Sequence, residues 1–133
     1  MKFLGIDYGT KRVGVALSDD EGTMAFPKTV LTNDEELLVR VKELIETEQV
    51  GEVVVGESKN LDGSENPIME SIAVFVKELK QLVAVPVHFE PEFYTSYEAR
   101  RLVNEANQKS QKAPVDAQAA AIILNSYILR KRV

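Results

Sequence analysis

The feature that most constrains the fold is Glu52–Gly56, a short apolar run (EVVVG) bounded by glycines. A strand that is apolar on both faces is typical of a parallel sheet covered by helices on both sides. Apolar residues at helical spacing precede this run, from Leu37 to about Glu48, and follow it over Ile68–Leu82. Helix and strand therefore alternate along this part of the chain, which predicts an α/β fold.

Three strand patterns come before the first predicted helix. Lys2–Asp7 is apolar and ends in an acid, whereas Arg12–Ser18 alternates in polarity. Gly9 lies between them and can adopt a positive φ, so a hairpin is predicted. Met24–Leu31 contains Pro27, which favours an edge position. A right-handed crossover would then lay the fourth strand parallel to the first.

Capping signals predict where the helices begin. Thr32–Glu35 has the spacing of a capping box, and Asn66 before Pro67 fits an N-cap followed by a first-turn proline. The remaining predicted elements are a fifth strand at Val85–Phe89, a third helix from Thr95 to about Asn107 and a fourth helix that opens at Pro114.

Length and composition exclude several classes of protein. The chain has 133 residues, which fits a single domain spanning 1–133. It has no cysteine, so disulfides, thiolate metal sites and cysteine nucleophiles are excluded. Its N-terminus does not fit a signal peptide, because Asp7 interrupts the short apolar run, and no stretch is long enough to span a membrane. We expect a cytoplasmic protein.

The net charge of −5 lacks the basic footprint of a typical nucleic-acid binder. A polyanionic partner therefore requires bound cations or a local basic patch. The best candidates for that patch are basic side chains at two places along the chain, namely Lys11 and Arg12 after the first strand, and Arg100, Arg101, Lys109 and Lys112 towards the C-terminus.

Four acids are expected near the carboxyl edge of the predicted sheet. Asp7 ends the first strand, Glu57 follows the fourth, Glu92 follows the fifth, and Asp116 lies in the first turn of the last helix. Open α/β sheets bind ligands at this edge, and clustered carboxylates repel unless a cation lies among them. Oxygen ligands suit Mg²⁺ or Mn²⁺. The alternative is that these acids are turn formers, a helix-dipole partner and solvated loop charges.

A resemblance becomes specific when four segments are taken together. Their order and spacing resemble the YqgF/RuvX family of bacterial ribonuclease H-like proteins, described as Holliday junction resolvases or as nucleases that finish the 5′ end of small-subunit ribosomal RNA. The segments are GIDYGTKRVGVALSD (Gly5–Asp19), VVVGESKNLDGSE (Val53–Glu65), EFYTSYEARR (Glu92–Arg101) and VDAQAAAIILNSYI (Val115–Ile128).

The resemblance implies a mixed five-stranded sheet of order 3-2-1-4-5 flanked by about four helices. It also implies that Asp7, Glu92 and Asp116 are the family's metal-binding acids, and that Lys11 and Arg12 are its basic pair after the Gly-Thr. Two divalent ions bound by such acids are a known device for hydrolysing phosphodiesters.

The chain departs from the family pattern at two places. The family has an Asp-Glu-Arg stretch before its conserved threonine, where this chain has Pro91, Glu92 and Phe93. Its loop after the fourth strand begins with apolar residues and proline, where this chain has Glu57. Glu57 is either a compensating fourth carboxylate or drift in a protein that has lost catalysis.

Two functions follow from these observations. The first is a Mg²⁺- or Mn²⁺-dependent nuclease acting on a ribosomal RNA precursor or on branched DNA, as a monomer or weak homodimer. The second is a catalytically weakened module that binds nucleic acid or a protein. A distant third alternative is an ATP-binding protein, because actin-like kinases and chaperones also carry Asp-x-Gly-Thr hairpins. Those proteins need two such domains, and 133 residues hold only one.

Overall fold

The computed structural model describes residues 1–57, 67–91, 101 and 113–131. Five strands are present among them, namely β1 Phe3–Tyr8, β2 Arg12–Ser18, β3 Ala25–Thr32, β4 Glu52–Glu57 and β5 Val87–Pro91. Three helices are described, namely α1 Leu37–Thr47, α2 Met69–Leu82 and α3 Val115–Lys131. The further helix predicted from Thr95 to about Asn107 falls outside the described residues except for Arg101, which is helical.

The five strands form one mixed sheet in the order β3-β2-β1-β4-β5, which confirms the predicted topology. β1 pairs antiparallel with β2, and β2 with β3. β1 pairs parallel with β4, and β4 with β5, so the carboxyl ends of these three strands meet at one edge. β3 is an edge strand, as Pro27 predicts, because proline has no backbone N–H to donate to a neighbouring strand.

Helices cover both faces of the sheet. The larger core lies under α1 and α2, and Val53 and Val55 of β4 belong to it. The smaller core lies under α3 and contains Val54. All three valines are fully buried, which confirms the prediction that this strand is covered on both faces.

Small residues allow α3 to lie close to the sheet. Ala117, Ala120 and Ala121 are fully buried on its inner side. A Cβ atom on Gly5 of β1 would lie 2.8 Å from the Cβ of Leu124. The helix backbone therefore approaches β1 more closely than larger side chains would permit.

The start of α1 differs from the sequence prediction. Thr32 is the last residue of β3, and the N-cap of α1 is Glu36, which makes no side-chain capping bond. The amide of Glu36 donates to Asp34 Oδ1 at 2.9 Å, so Asp34 closes a turn before the helix begins. The predicted capping box at Thr32–Glu35 is therefore wrong, although the extent of the helix is confirmed.

None of the helices in the described part of the chain is long and apolar enough to cross a bilayer.

Candidate active site

Asp7 lies near the carboxyl end of β1, on the face of the sheet that α3 covers. Gly5, two residues earlier, packs against Leu124 and Ala120 of α3. Because side chains alternate along a strand, Asp7 belongs to the same face. In the β1–β2 register, Asp7 is directly opposite Gly14.

Asp116 reaches the same place from the first turn of α3. A Cβ atom on Gly14 would lie 1.8 Å from the carbonyl oxygen of Asp116, so the helix backbone rests directly on this glycine. Asp7 therefore lies beside Gly14 on the neighbouring strand, and the backbone of Asp116 lies over Gly14. The backbone positions of the first and last acids of the sequence-predicted set thus both adjoin Gly14.

Arg12 supplies a cation at this place. It lies two residues before Gly14 on β2, so strand alternation puts it on the α3 face as well. Its Nε donates to Asp116 Oδ2 at 2.9 Å. The side chains are 66% and 37% exposed, respectively, so the ion pair lies at the solvent boundary.

Glu57 does not join this pair. Glu57 is the last residue of β4, and alternation with Val53 and Val55 assigns it to the α1–α2 face. Glu92 lies outside the described residues. Its part in the site, like the metal-binding role of the other acids, stays a prediction.

The β1–β2 hairpin is held by Asn33, which lies inside the capping box predicted over Thr32–Glu35. The side-chain Nδ2 of Asn33 donates to the Gly9 carbonyl at 2.8 Å, and the backbone N–H of Asn33 donates to the Lys11 carbonyl at 2.9 Å. These bonds tie the loop that carries Lys11 to the end of β3. The sequence signal for this contact is an asparagine at a predicted helix start, but an asparagine there fits a helix cap equally well.

Of the six basic residues predicted to contact nucleic acid, the structure describes three. Lys11, Arg12 and Arg101 are exposed. Arg12 pairs with Asp116, whereas Lys11 lies in the turn between β1 and β2. Arg100, Lys109 and Lys112 lie outside the described residues.

The carboxylates of the two aspartates next to Gly14 are of the ligand type that suits the divalent ion implied by the family resemblance. Asp7 and Asp116 offer carboxylate oxygens, the ligands that Mg²⁺ and Mn²⁺ prefer. The guanidinium of Arg12 already holds a positive charge against Asp116. No group of three or more acidic or histidine side chains suited to a metal occurs in the described part of the chain.

A second polar cluster was not anticipated from the sequence. Glu52 is buried at the start of β4, where Lys131 Nζ lies at 3.2 Å, Tyr127 Oη at 3.2 Å and His88 Nε2 at 2.6 Å from its carboxylate. Burial raises the pKa of Glu52, but hydrogen bonds and charge from Lys131 and His88 outweigh it, so the net pKa is lowered. The hydrogen bond to Glu52 in turn raises the pKa of Lys131.

Glu90 of β5 is a fully buried acid in the same face of the sheet. Ser126 Oγ donates to Glu90 Oε2 at 3.1 Å, and Arg130 pairs with Oε1. The basic end of α3 therefore neutralises two buried acids. Arg130 and Lys131 act as structural counter-ions here, which a helix-end charge pattern alone does not distinguish from a free basic patch.

The opposite face carries a groove of the wrong charge for a nucleic acid. It has a volume of about 510 Å³ and lies between α1 and α2, next to Tyr8. Its rim carries four carboxylates, from Asp34, Glu35, Glu70 and Glu78. These carboxylates would repel a phosphate backbone.

The sheet order, with one acid near the end of β1 and another in the first turn of the last helix, defines a ribonuclease H-like fold of the resolvase type. Thermus thermophilus RuvC in complex with Holliday junction substrate has this fold, with a TM-score of 0.68 at 15% identity over 99% of this chain and 95% of that chain. The fowlpox virus Holliday junction resolvase matches with a TM-score of 0.56 at 16% identity over 98% and 99% of the two chains. These likenesses concern the fold.

The family described as RuvX, Holliday junction resolvase, matches residues 1–130, and this chain belongs to that family. A relative from Maridesulfovibrio salexigens is 37% identical over 98% of this chain and 99% of its own length. A relative from Streptococcus pyogenes serotype M1 is 32% identical over 98% and 99%. Both carry the name "Putative pre-16S rRNA nuclease". The resemblance inferred from the four sequence segments is confirmed.

Proposed function

We propose that this chain is a divalent-metal-dependent phosphodiesterase that matures the 5′ end of the precursor of 16S ribosomal RNA. The observation that carries the proposal is the meeting of Asp7 and Asp116 at Gly14, beside the cation of Arg12. The names of the relatives favour this substrate.

Asp7 and Asp116, with Glu92, would hold Mg²⁺ or Mn²⁺ at the carboxyl edge of β1. Two such ions, if held by these residues, would supply Lewis-acid activation of water and charge stabilisation at the leaving oxygen. The protein contributes a rigid arrangement, because Asp7 lies in a paired strand and the backbone of Asp116 rests on that strand's neighbour. Carboxylates held in place by backbone packing lose little entropy when they bind a cation.

Lys11 and Arg12 would contact the phosphates on either side of the scissile bond. Both are exposed, and Asn33 anchors the hairpin that carries them. Arg100, Arg101, Lys109 and Lys112 would extend this contact along the RNA. Local contacts of this kind are needed because the net charge of −5 repels a polyanion over most of the surface.

Cleavage of Holliday junctions is the second candidate, favoured by the description of the family. A four-way junction needs two symmetric cuts, so this activity requires a dimer, whereas trimming of an RNA end does not. We infer that the chain acts in the cytoplasm, where bacterial ribosomal precursors are processed, as a monomer or weak homodimer.

The experiment compares the two substrates directly. Purified protein is incubated in Mn²⁺ with a precursor RNA that carries the 5′ extension and, separately, with a four-way DNA junction. We expect cleavage of the RNA at the mature 5′ end and no paired cuts in the junction. Symmetric junction cleavage by a dimer would favour the second candidate. Salt-dependent binding of RNA without any cleavage would instead identify a binding module.

A further inference from the structure

Arg12 lies beside Asp116 and balances the charge of its carboxylate. A metal ion that binds Asp116 would have to replace Arg12 there. Its Nε is 2.9 Å from Asp116 Oδ2, although the two residues are 104 positions apart in the chain. The contact is possible because Gly14 lets the first turn of α3 rest on β2, next to Arg12. A side chain at position 14 would separate the two groups.

We propose that Arg12 is a positioning residue that neutralises Asp116 until a divalent ion and a phosphate arrive. It then gives up Asp116 to the ion and moves to the phosphate. This inference rests on the proposed function, because it requires that Asp116 binds a metal ion. It assigns to Arg12 a role beyond that of a candidate contact to nucleic acid.

The exposure of the pair makes the exchange feasible. Arg12 is 66% exposed and Asp116 is 37% exposed, so their attraction is weakened by water and salt. A doubly charged ion that also gains a second carboxylate from Asp7 competes well against one guanidinium. The freed guanidinium has a planar set of donors suited to a phosphodiester.

The exchange couples the binding of metal to the binding of RNA. A phosphate that takes Arg12 away leaves Asp116 free for the ion, and an ion at Asp116 leaves Arg12 free for the phosphate. Each ligand therefore strengthens the other, by the same factor in both directions.

The test begins with Mn²⁺ titrations of metal-free protein by calorimetry. R12Q should bind Mn²⁺ about two- to fivefold more tightly than wild type, the range expected when an exposed ion pair no longer competes. R12K retains the positive charge and should bind Mn²⁺ with nearly the wild-type affinity. R40Q is the matched control, because Arg40 forms an exposed ion pair with Asp34 at 3.2 Å elsewhere on the surface.

The second measurement repeats the titrations with a short 2′-O-methyl RNA oligonucleotide, which contacts the protein through phosphates but resists cleavage. In wild type the RNA should tighten Mn²⁺ binding. In R12Q this gain should largely disappear, because Asp116 has already been released. R40Q should retain the full gain.

Three results would overturn the inference. They are an R12Q affinity for Mn²⁺ equal to or weaker than that of wild type, an equal change in R40Q, and an undiminished gain from RNA in R12Q. D116N separates this failure from that of the proposed function. If D116N binds Mn²⁺ as tightly as wild type, then the ion does not use Asp116, and the metal site itself is contradicted together with the role of Arg12.

Discussion

The carbonyl oxygen of Asp116 lies 1.8 Å from the point that a Cβ atom on Gly14 would occupy. No side chain fits between them, so the first turn of α3 is in direct contact with the backbone of β2. Since Asp7 is opposite Gly14 in the sheet, one glycine determines how closely the two acids approach. The site therefore depends on backbone packing as much as on its carboxylates.

Replacement of Gly14 by alanine tests this dependence. The added methyl group meets backbone atoms that cannot rotate away, so we expect G14A to lose about 1–3 kcal/mol of unfolding free energy, or more. It should also lose most of its Mn²⁺ affinity. Urea unfolding in EDTA and calorimetry measure the two effects.

G51A is the matched control for that substitution. A Cβ atom on Gly51 would meet Cγ of Met1 at 2.6 Å, but Met1 is 66% exposed and its flexible side chain can move. We expect a change below about 1 kcal/mol. If G14A were as stable as G51A and bound Mn²⁺ normally, the contact between α3 and β2 would not position Asp116.

Asp7 should be necessary for stabilisation by metal. An ion that binds only the folded protein raises the melting temperature, and removal of one carboxylate ligand weakens that binding. We expect millimolar Mn²⁺ to raise the melting temperature of wild type and to leave that of D7N nearly unchanged. D20N removes a carboxylate that is 92% exposed and should retain the full rise. No metal-dependent rise in wild type would argue against the site.

Replacement of Glu57 and replacement of Glu92 should have different effects on the cleavage rate. The alternation of β4 assigns Glu57 to the face away from Asp7 and Asp116, so E57Q should keep most of the metal-dependent cleavage. E92Q should lower the cleavage rate by at least about tenfold, because it removes a predicted ligand. Equal losses in both variants would instead support Glu57 as the carboxylate that compensates for Pro91.

Glu52 should stabilise the fold in a pH-dependent way. Burial raises its pKa, but the hydrogen bonds and charges of Lys131 and His88 lower it further, so the folded-state pKa lies below the unfolded value of about 4.5. The stabilisation is therefore present above that pH and is lost as the pH falls through the folded-state pKa.

Urea unfolding across a pH series measures this contribution. At neutral pH, E52Q should cost about 1–3 kcal/mol, and its stability should fall less steeply in acid than that of wild type. E46Q is the control, because Glu46 is 65% exposed in a 3.9 Å pair with Lys42 and should change stability by less than about 0.5 kcal/mol. If the unfolding free energies of wild type and E52Q fell equally steeply in acid, Glu52 would not be the source of this pH dependence.

Periodicity predicted the strands of the sheet, and the family resemblance supplied their order. Arg12–Ser18 alternates cleanly and was predicted with its observed bounds, and Val53–Val55 is buried on both faces as its uniform apolarity indicates. The start of α1 was missed because Asn33 and Asp34 suit a helix cap and a turn equally well. The choice between them depends on Gly9, which lies in a distant hairpin and accepts the bond from Asn33.

Contacts across the chain were harder to predict than elements. The sequence gives Asp7 and Asp116 as candidate acids, but the pairing of Arg12 with Asp116 depends on how closely a helix approaches a strand. Glu52 and Glu90 were not predicted as buried ions, because their counter-ions Lys131 and Arg130 lie 79 and 40 positions away. Sequence periodicity carries no information on such partners.

Cleavage of the 16S precursor by wild type, D7N and D116N in Mn²⁺ tests the central claim most directly. D34N is the control, because Asp34 is an ion-paired aspartate of similar exposure, 41% against 37% for Asp116. We predict that D7N and D116N each reduce the cleavage rate by more than about 100-fold, since bound metal supplies several kcal/mol of transition-state stabilisation, while D34N cleaves at the wild-type rate. Wild-type cleavage that persists in D7N and D116N would contradict the account.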